Sequence, residues 1–183
     1  MRFFEPWVGP LYWSEGVDGV RLLILGEAHY GTKEVETRDF TQRMVREWGQ
    51  GERMKFFTMI QQLVQRRDAG YVTDEERRAF WDHVAFYNYI QEFTGEEARI
   101  RPTGAMWATA ETCYLETLEE LKPHVVVALG TDLAAHLPEP RGDIQVLKVQ
   151  HPSSYGFRVT DWTTRMSEAL AGARGRLFSP GQS

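Results

Sequence analysis

Three short segments of the chain combine side chains that could stabilise a developing negative charge or transfer a proton. They are GEAHYG at 26–31, FYNYIQ at 86–91 and HPSSYGF at 151–157. The first holds the carboxyl group of Glu27 and the imidazole of His29 between two glycines, where the backbone can approach a ligand closely. In the last, the imidazole of His151 could donate a hydrogen bond to an anion. Taken alone, either segment could also be an ordinary turn with a satisfied histidine.

The FYNYIQ segment places one amide side chain, Asn88, in a run of aromatic residues. Burying a carboxamide costs free energy unless its polar atoms are paired. A carboxamide presents a donor and an acceptor side by side, which suits the edge of a nucleobase. Asn88 could instead cap a neighbouring backbone group, and the residue type alone does not decide between these two roles.

The residues that follow His151 are suited to contact with a nucleic acid. Ser153 and Ser154 offer hydroxyl groups and backbone N–H groups that can bind phosphate oxygens. Tyr155 provides an aromatic ring beside them, as a wedge or a stacking platform requires. Arg158 adds a positive charge shortly afterwards. The segment is therefore a candidate DNA-contacting turn.

Hydrophobic runs and helical periodicity predict the elements that position these segments. Strands are expected at 21–26, 83–90, 124–130 and 144–150, and helices within 36–68 and near 74–81, 105–122 and 160–173. Strands that alternate with helices favour a parallel sheet that is covered on both faces. We therefore expect one α/β domain over residues 1–183, a three-layer α/β/α sandwich with a central four-stranded parallel sheet. Ligands bind beyond the carboxyl ends of such strands, a rule that picks out GEAHYG, Asn88 to Gln91, Gly130-Thr131 and HPSS.

Composition narrows the class of protein. The 183 residues include one cysteine, Cys113, which excludes a disulfide framework, a thiolate zinc site and an iron–sulfur cluster held by four protein thiolates. No segment matches a secretory signal or approaches the ~20 apolar residues of a membrane span, so we expect a cytoplasmic protein without membrane contact. The net charge of −5 weighs mildly against a nucleic-acid partner, although an acidic chain can still carry one basic groove.

In their order along the chain, these segments resemble the uracil-DNA glycosylase superfamily. GEAHYG is similar both to GQDPYH of the best-known uracil glycosylases and to GEAPG of the thermostable iron–sulfur type. The stretches FYNYIQ, RPT and CYLETLEELKPHVVVALG look like the iron–sulfur branch, and HPSSY resembles HPSPL of the first branch. The resemblance covers about residues 21–157. Four elements in the same order are far more specific than any one of them.

The resemblance implies a monofunctional DNA glycosylase, which hydrolyses the N-glycosidic bond of uracil or another damaged or modified base flipped out of single- or double-stranded DNA. By position, Asn88 would read the extruded base and His151 would stabilise the base anion. The pocket around the base would be lined by Gly26, Ala28, Tyr30, Phe40 and Asn88. Contacts with DNA would come from Gly31, Ser153, Ser154, Tyr155 and Arg158, with Tyr155 filling the hole left by the flipped nucleotide. The protein would act as a monomer. It would use no metal or other cofactor, and the cysteines that hold the iron–sulfur cluster of the GEAPG type are missing.

One position departs from the family pattern. Ala28 stands where the GQDPYH type has its aspartate, so either Glu27 or His29 would position the water, or catalysis would rest on leaving-group stabilisation. Three interpretations therefore stay open. The chain could be a repair or phage-defence glycosylase for DNA bases, including bulky modified ones. It could be a non-catalytic module that binds nucleic acid or nucleotides, or an enzyme acting on free nucleosides or RNA.

Overall fold

The computed structural model describes residues 2–67, 70–97, 100–140 and 142–178. Its strands are β1 (Trp7–Val8), β2 (Leu22–Gly26), β3 (Ala85–Asn88), β4 (Val125–Leu129) and β5 (Gln145–Val149). Its α-helices are α1 (Phe40–Met44), α2 (Lys55–Val64), α3 (Asp74–Asp82), α4 (Gly104–Leu121), α5 (Thr131–His136) and α6 (Thr163–Phe178). A π-helical segment (Val45–Gly51) continues α1, and 3-10 turns cover Lys33–Val35 and Val159–Asp161. No helix within these ranges is both long and apolar enough to cross a membrane.

The strands form one five-stranded, mostly parallel sheet in the order β1-β3-β2-β4-β5. β3, β2, β4 and β5 run parallel, whereas β1 pairs antiparallel with β3. The prediction of a four-stranded parallel sheet is therefore wrong in the number of strands and in the direction of one edge strand. The sequence does not signal β1, because a two-residue strand has no alternation to read. Tertiary contacts fix it, among them the indole N–H of Trp7, which donates to the carbonyl of Trp81.

Apolar side chains leave the sheet on both faces, because successive residues of a strand point to opposite sides. On one face, Leu22 and Ile24 of β2 pack in a cluster with side chains of α2, α3 and α6. On the other face, Leu23 and Leu25 pack in a second cluster with side chains of α4 and α5. Helices therefore cover both faces, and all of β2 and β4 is buried.

Local sequence signals set the ends of the two helices that flank β3. α3 begins with a capping box, in which Thr73 and Glu76 each accept from the other's backbone N–H. α4 begins after Thr103, whose hydroxyl oxygen accepts from the N–H of Met106. It ends at Lys122, which adopts a left-handed conformation just before a proline.

The helical region predicted within 36–68 is not continuous. Glu52 and Met54 have extended backbone conformations and separate the π-helical segment from α2. The sequence also gives no indication of α5, since six residues are too few to show a helical period. These short elements matter because α2 and α5 both carry side chains to the carboxyl edge of the sheet.

Candidate functional site

The carboxyl ends of the parallel strands bring the sequence-predicted segments to one edge of the sheet. Gly26 and Asn88 are register partners at the ends of β2 and β3. Gly130 follows β4, and His151 lies two residues beyond β5. Parallel neighbours end together, so segments far apart in sequence become adjacent here.

Backbone hydrogen bonds join the turn after β2 to the segment that follows β3. Backbone N–H groups of Tyr89 and Ile90 donate to the carbonyl oxygens of Gly26 and Glu27, at 3.0 and 2.9 Å. Further along, the N–H of Thr94 donates to the carbonyl of His29, at 3.2 Å. The pairing of β2 with β3 thus continues past both strands. It fixes the direction in which each side chain of GEAHYG points.

Asn88 lies across the end of β2, in space left open by a glycine. Its side chain is buried, with 5% of its surface exposed. A Cβ atom on Gly26 would overlap Oδ1 of Asn88. Among the described residues none hydrogen-bonds the Asn88 carboxamide, while its backbone carbonyl accepts from Nε2 of Gln91 at 2.7 Å. The carboxamide therefore keeps its donor and acceptor for a ligand, and the backbone-capping alternative finds no partner in the described ranges.

His151 is half-buried and oriented by its own turn. The backbone N–H of Ser153 donates to Nδ1 of His151 at 3.1 Å. The ring stacks on Phe56 of α2, with 5.2 Å between centroids and 19° between planes. Burial, and then the positive charge of Arg101, lower the pKa of His151 below its ordinary value. A neutral ring whose Nδ1 accepts a bond carries its proton on Nε2, so His151 is arranged as a neutral hydrogen-bond donor.

Asn88 and His151 lie on the same side of the sheet. Asn88 has the same strand parity as Phe86, which packs in the cluster with α2, α3 and α6. His151 stacks on Phe56, which packs against that same cluster. Gly26 faces the same side as Asn88, because a Cβ atom on it would come within 3.4 Å of the Phe86 ring. This side of the edge thus holds a carboxamide, a neutral imidazole and an aromatic ring.

Glu27 lies on the opposite side, in keeping with the alternation of β2. Oε1 of Glu27 is 3.4 Å from Nη1 of Arg101, and the same nitrogen is 3.0 Å from Oδ2 of Asp132 in α5. Burial raises the pKa of the Glu27 carboxyl, the charge of Arg101 opposes the rise, and Asp132 adds to it. The net direction is upward. Glu27 is therefore a half-buried carboxylate with a stronger tendency to hold a proton than an exposed one.

His29 belongs to an aromatic cluster rather than to the open part of the edge. Only 7% of its surface is exposed, and its ring meets Phe4 and Phe40 edge-on, at 5.1 and 4.9 Å. Nε2 lies 2.7 Å from Oγ1 of Thr41, within hydrogen-bonding distance. Burial lowers the pKa of His29 to about 3. Phe40 is itself buried in this cluster, against Phe93, so its ring does not face the carboxamide of Asn88 as an open platform.

The HPSSYGF turn presents an aromatic ring to solvent. Tyr155 is fully exposed, although its backbone carbonyl accepts from Nε2 of Gln150 at 3.3 Å. Gly156 adopts a left-handed conformation, with φ of 78°, and Phe157 is buried in the core on the far side. The ring of Tyr155 therefore projects from an anchored backbone, as a wedge residue requires.

The remaining predicted residues lie around this edge with different exposure. Ser153 is exposed, and Ser154 is half-buried with its N–H donating to the carbonyl of His151. Tyr30 is exposed, Ala28 packs against the second cluster, and the N–H of Gly31 donates to Gly95. Arg158 is exposed, but its guanidinium pairs with Asp161 at 3.0 Å.

Three residues at this edge were not indicated by the sequence segments. They are Phe56, Arg101 and Asp132. From the sequence alone, Arg101 is expected to be a solvated surface charge. Phe56 is expected to be an ordinary apolar residue of a helix. Asp132 lies in the first turn of α5, a helix that the sequence does not indicate, so it has no signal of its own either.

Two cavities of the described chain lie elsewhere. The larger, about 880 Å³, is lined by residues that precede β2 and β3, including Gly19 and His83. The smaller, about 380 Å³, is lined by residues that precede β4 and β5, including His124 and Ile144. Both are therefore at the amino-terminal ends of the strands. Among the described residues, no group of three or more His, Cys, Asp or Glu side chains is placed to hold a metal ion.

Comparison with known proteins adds no relative to this description. The chain matches no protein-family model, and no curated protein is significantly similar to it.

Proposed function

We propose that the protein is a monofunctional glycosylase that hydrolyses the N-glycosidic bond of uracil, or of another altered base, in DNA. The observation that carries the proposal is the placement of Asn88 and His151 on the same side of the sheet, at its carboxyl edge. None of the described residues hydrogen-bonds the Asn88 carboxamide, and His151 offers Nε2–H from an oriented, neutral ring. These are the two groups needed to read a base and to stabilise it as a leaving anion.

The chemistry follows from where charge develops. The bond between the sugar C1′ and the base nitrogen breaks, and its electron pair leaves with the base. A donor held in a water-poor site can stabilise such an anion by ~3 kcal/mol, and Nε2–H of His151 fills this role. A neutral donor is suited to the role, since it need not lose a proton to the anion in order to stabilise it.

The base must first leave the duplex, which costs a few kcal/mol. Tyr155, fully exposed on its turn, would occupy the vacated stack, and the serines before it would hold phosphate oxygens. The carboxamide of Asn88 would then pair with the edge of the extruded base, while the Phe56 ring stacks on the imidazole of His151.

For the attacking water we propose Glu27 rather than His29. Because Glu27 leaves the sheet on the side opposite to Asn88 and His151, the sugar would lie across the carboxyl edge, between the base and Glu27. The oxygen of water bonds to C1′, and the displaced proton goes to the Glu27 carboxylate. Glu27 is half-buried and has a raised pKa, which makes its carboxylate a better base. His29 is enclosed by phenylalanine rings and engaged with Thr41.

The proposal includes the wider expectations from the sequence. These are membership of the uracil-DNA glycosylase superfamily, a three-layer α/β/α sandwich, DNA as the partner, a monomeric state and a cytoplasmic location. The helices on both faces of the sheet support the sandwich.

One observation favours a second candidate, an enzyme acting on free nucleosides or RNA. Two arginines near the edge, Arg101 and Arg158, already pair with carboxylates, which leaves fewer free charges for phosphates. Such an enzyme would release base from nucleosides with little dependence on salt. The non-catalytic module, suggested by Ala28, would bind but release nothing.

The test is release of free base from oligonucleotides that carry uracil, hypoxanthine, xanthine or 5-hydroxymethyluracil, with the nucleosides in parallel. Asn88→Ala and His151→Ala should each abolish most of the release. Gln62→Ala and His83→Ala are matched controls, since Gln62 carries an amide away from this edge and His83 lies at the opposite end of the strands. Wild-type protein that releases no base from any of these substrates would overturn the proposal.

A further inference from the structure

Arg101 links two separate elements at the carboxyl edge. It belongs to the segment that precedes α4, and its Nη1 reaches Glu27 in the turn after β2 and Asp132 in the first turn of α5. The distances are 3.4 and 3.0 Å. The Arg101 side chain is 69% exposed, so it rests over the site rather than within the core.

The carboxylate of Glu27 faces three charged or titratable groups. Arg101 favours its ionised form, Asp132 disfavours it, and His136 at the end of α5 favours it when charged. Burial disfavours the ionised form most. Arg101 is therefore the principal group that keeps a half-buried carboxylate charged, and it alone of the three makes an ion pair with it.

The same cation acts on His151 from the other side of the edge. The N–H of Ser153 and the ring of Phe56 contact the His151 ring, and the positive charge of Arg101 adds to the effect of burial in lowering the pKa of His151. A nearby cation disfavours protonation of an imidazole. The charge of Arg101 thus favours the ionised form of the Glu27 carboxyl group and the neutral form of the His151 imidazole. These are the forms that glycosidic hydrolysis needs.

We propose that Arg101, which also pairs with Asp132, is a positioning residue whose ion pair fixes the Glu27 carboxylate at the carboxyl edge. This inference rests on the proposed function, and it assigns Arg101 and Asp132 a part that the family resemblance does not give them. Exposed ion pairs add little to stability, so Arg101 can be replaced without unfolding the chain.

The experiment measures two quantities in wild type, Arg101→Gln, Arg101→Lys and Asp132→Asn. The first is kcat/KM for base release between pH 5 and 9. The second, which needs no substrate, is the NMR titration of the Glu27 carboxyl carbon and the His151 ring. Arg66→Gln is the matched control, because Arg66 has an ion pair with Asp18 beside the cavity at the amino-terminal ends of the strands.

In Arg101→Gln, both the Glu27 and the His151 pKa should rise, so the acidic limb of the pH profile should move to higher pH. Release should fall about two- to fivefold near pH 6 and much less near pH 8.5, as expected for loss of an exposed ion pair. Arg101→Lys should return the acidic limb of the pH profile to its wild-type position. Asp132→Asn should lower the Glu27 pKa, because it removes a neighbouring negative charge. Arg66→Gln should leave the limb and both titrations unchanged.

Unchanged titrations in Arg101→Gln would overturn the inference even if wild type releases base. A uniform loss of substrate affinity, with a weaker salt dependence and no shift of the limb, would also overturn it and make Arg101 a phosphate contact. If wild type releases no base, the proposed function fails, and the titrations still decide whether Arg101 controls the two groups.

Discussion

The carboxamide of Asn88 occupies the space in which a Cβ atom of Gly26 would lie. The two residues are register partners on adjacent parallel strands, at the point where both strands end. A glycine at this position therefore determines where the amide rests, although it offers no functional group of its own. The relationship gives the glycine that begins GEAHYG a physical role that can be tested.

Gly26→Ala should displace the Asn88 carboxamide while leaving the fold intact. Gly26 does not have a left-handed backbone conformation, so alanine is compatible with its φ angle. Displacement of a side chain that positions the substrate by about 1 Å can reduce the rate of catalysis about 10²-fold. We expect a loss of base release of that order, measured together with the thermal unfolding midpoint.

Gly104→Ala is the control for this substitution. A Cβ atom at Gly104 meets nothing within 4 Å, and its backbone is not left-handed either. It should therefore retain wild-type release. Full activity in Gly26→Ala would show that the position of the Asn88 amide does not matter.

Replacement of His151 tests the donor role. His151→Ala should lower kcat about 10²–10³-fold, the effect of removing one donor to a developing anion. Ser153→Ala should change kcat little, because the bond that orients the ring comes from the backbone N–H of Ser153. Since the pKa of His151 is lowered, the ring stays neutral to a lower pH than an exposed histidine. Single-turnover rates of base release, measured across a pH series for wild type and both variants, test these expectations. Equal losses of rate in His151→Ala and Ser153→Ala would contradict the donor role of His151.

Tyr155 should matter for duplex DNA and not for single strands. Tyr155→Ala removes a ring that is fully exposed and makes no buried contact, so stability should not change. Unstacking a base from a duplex costs a few kcal/mol, and loss of the wedge should slow release from duplex about tenfold or more. Parallel assays on single- and double-stranded uracil oligonucleotides give the ratio. Tyr71→Ala removes another exposed ring and should leave the ratio unchanged.

His29 should make the fold sensitive to acid. Its pKa is about 3 in the folded chain, against about 6.5 when unfolded. Between these values the unfolded chain binds more protons, so stability is fully present above pH 6.5 and declines as the pH falls. The decline should reach about 1.4 kcal/mol per pH unit. Urea unfolding at pH 7, 6 and 5 measures the slope.

His29→Gln should reduce that slope, because glutamine cannot titrate yet can still bond Thr41. The comparison uses the change of unfolding free energy with pH, so a general loss of stability does not affect it. An unaltered slope in His29→Gln would mean that this histidine is accessible to protons in the folded chain.

Much of the fold could be predicted because its signals are local. The strand predicted at 21–26 is found at Leu22–Gly26, and the strand predicted at 124–130 is found at Val125–Leu129. Short, continuous hydrophobic runs of this kind are typical of buried strands. Thr73 likewise marks the start of α3 through a bond to its own helix. β1 and α5 could not be predicted, because they are short and depend on neighbours distant in the sequence.

For the candidate site, the sequence by itself determined which residue types end each strand and hence that an amide and an imidazole both lie at the carboxyl edge. Only the tertiary structure decided how they are used. It separated His29, buried among rings, from Glu27, which lies beside a cation. It also brought Arg101 and Phe56 to the edge through elements that are not strands. The physical reason is that the positions of strands along the chain follow from local hydrophobic patterns, whereas burial and charge proximity arise only when distant segments pack together.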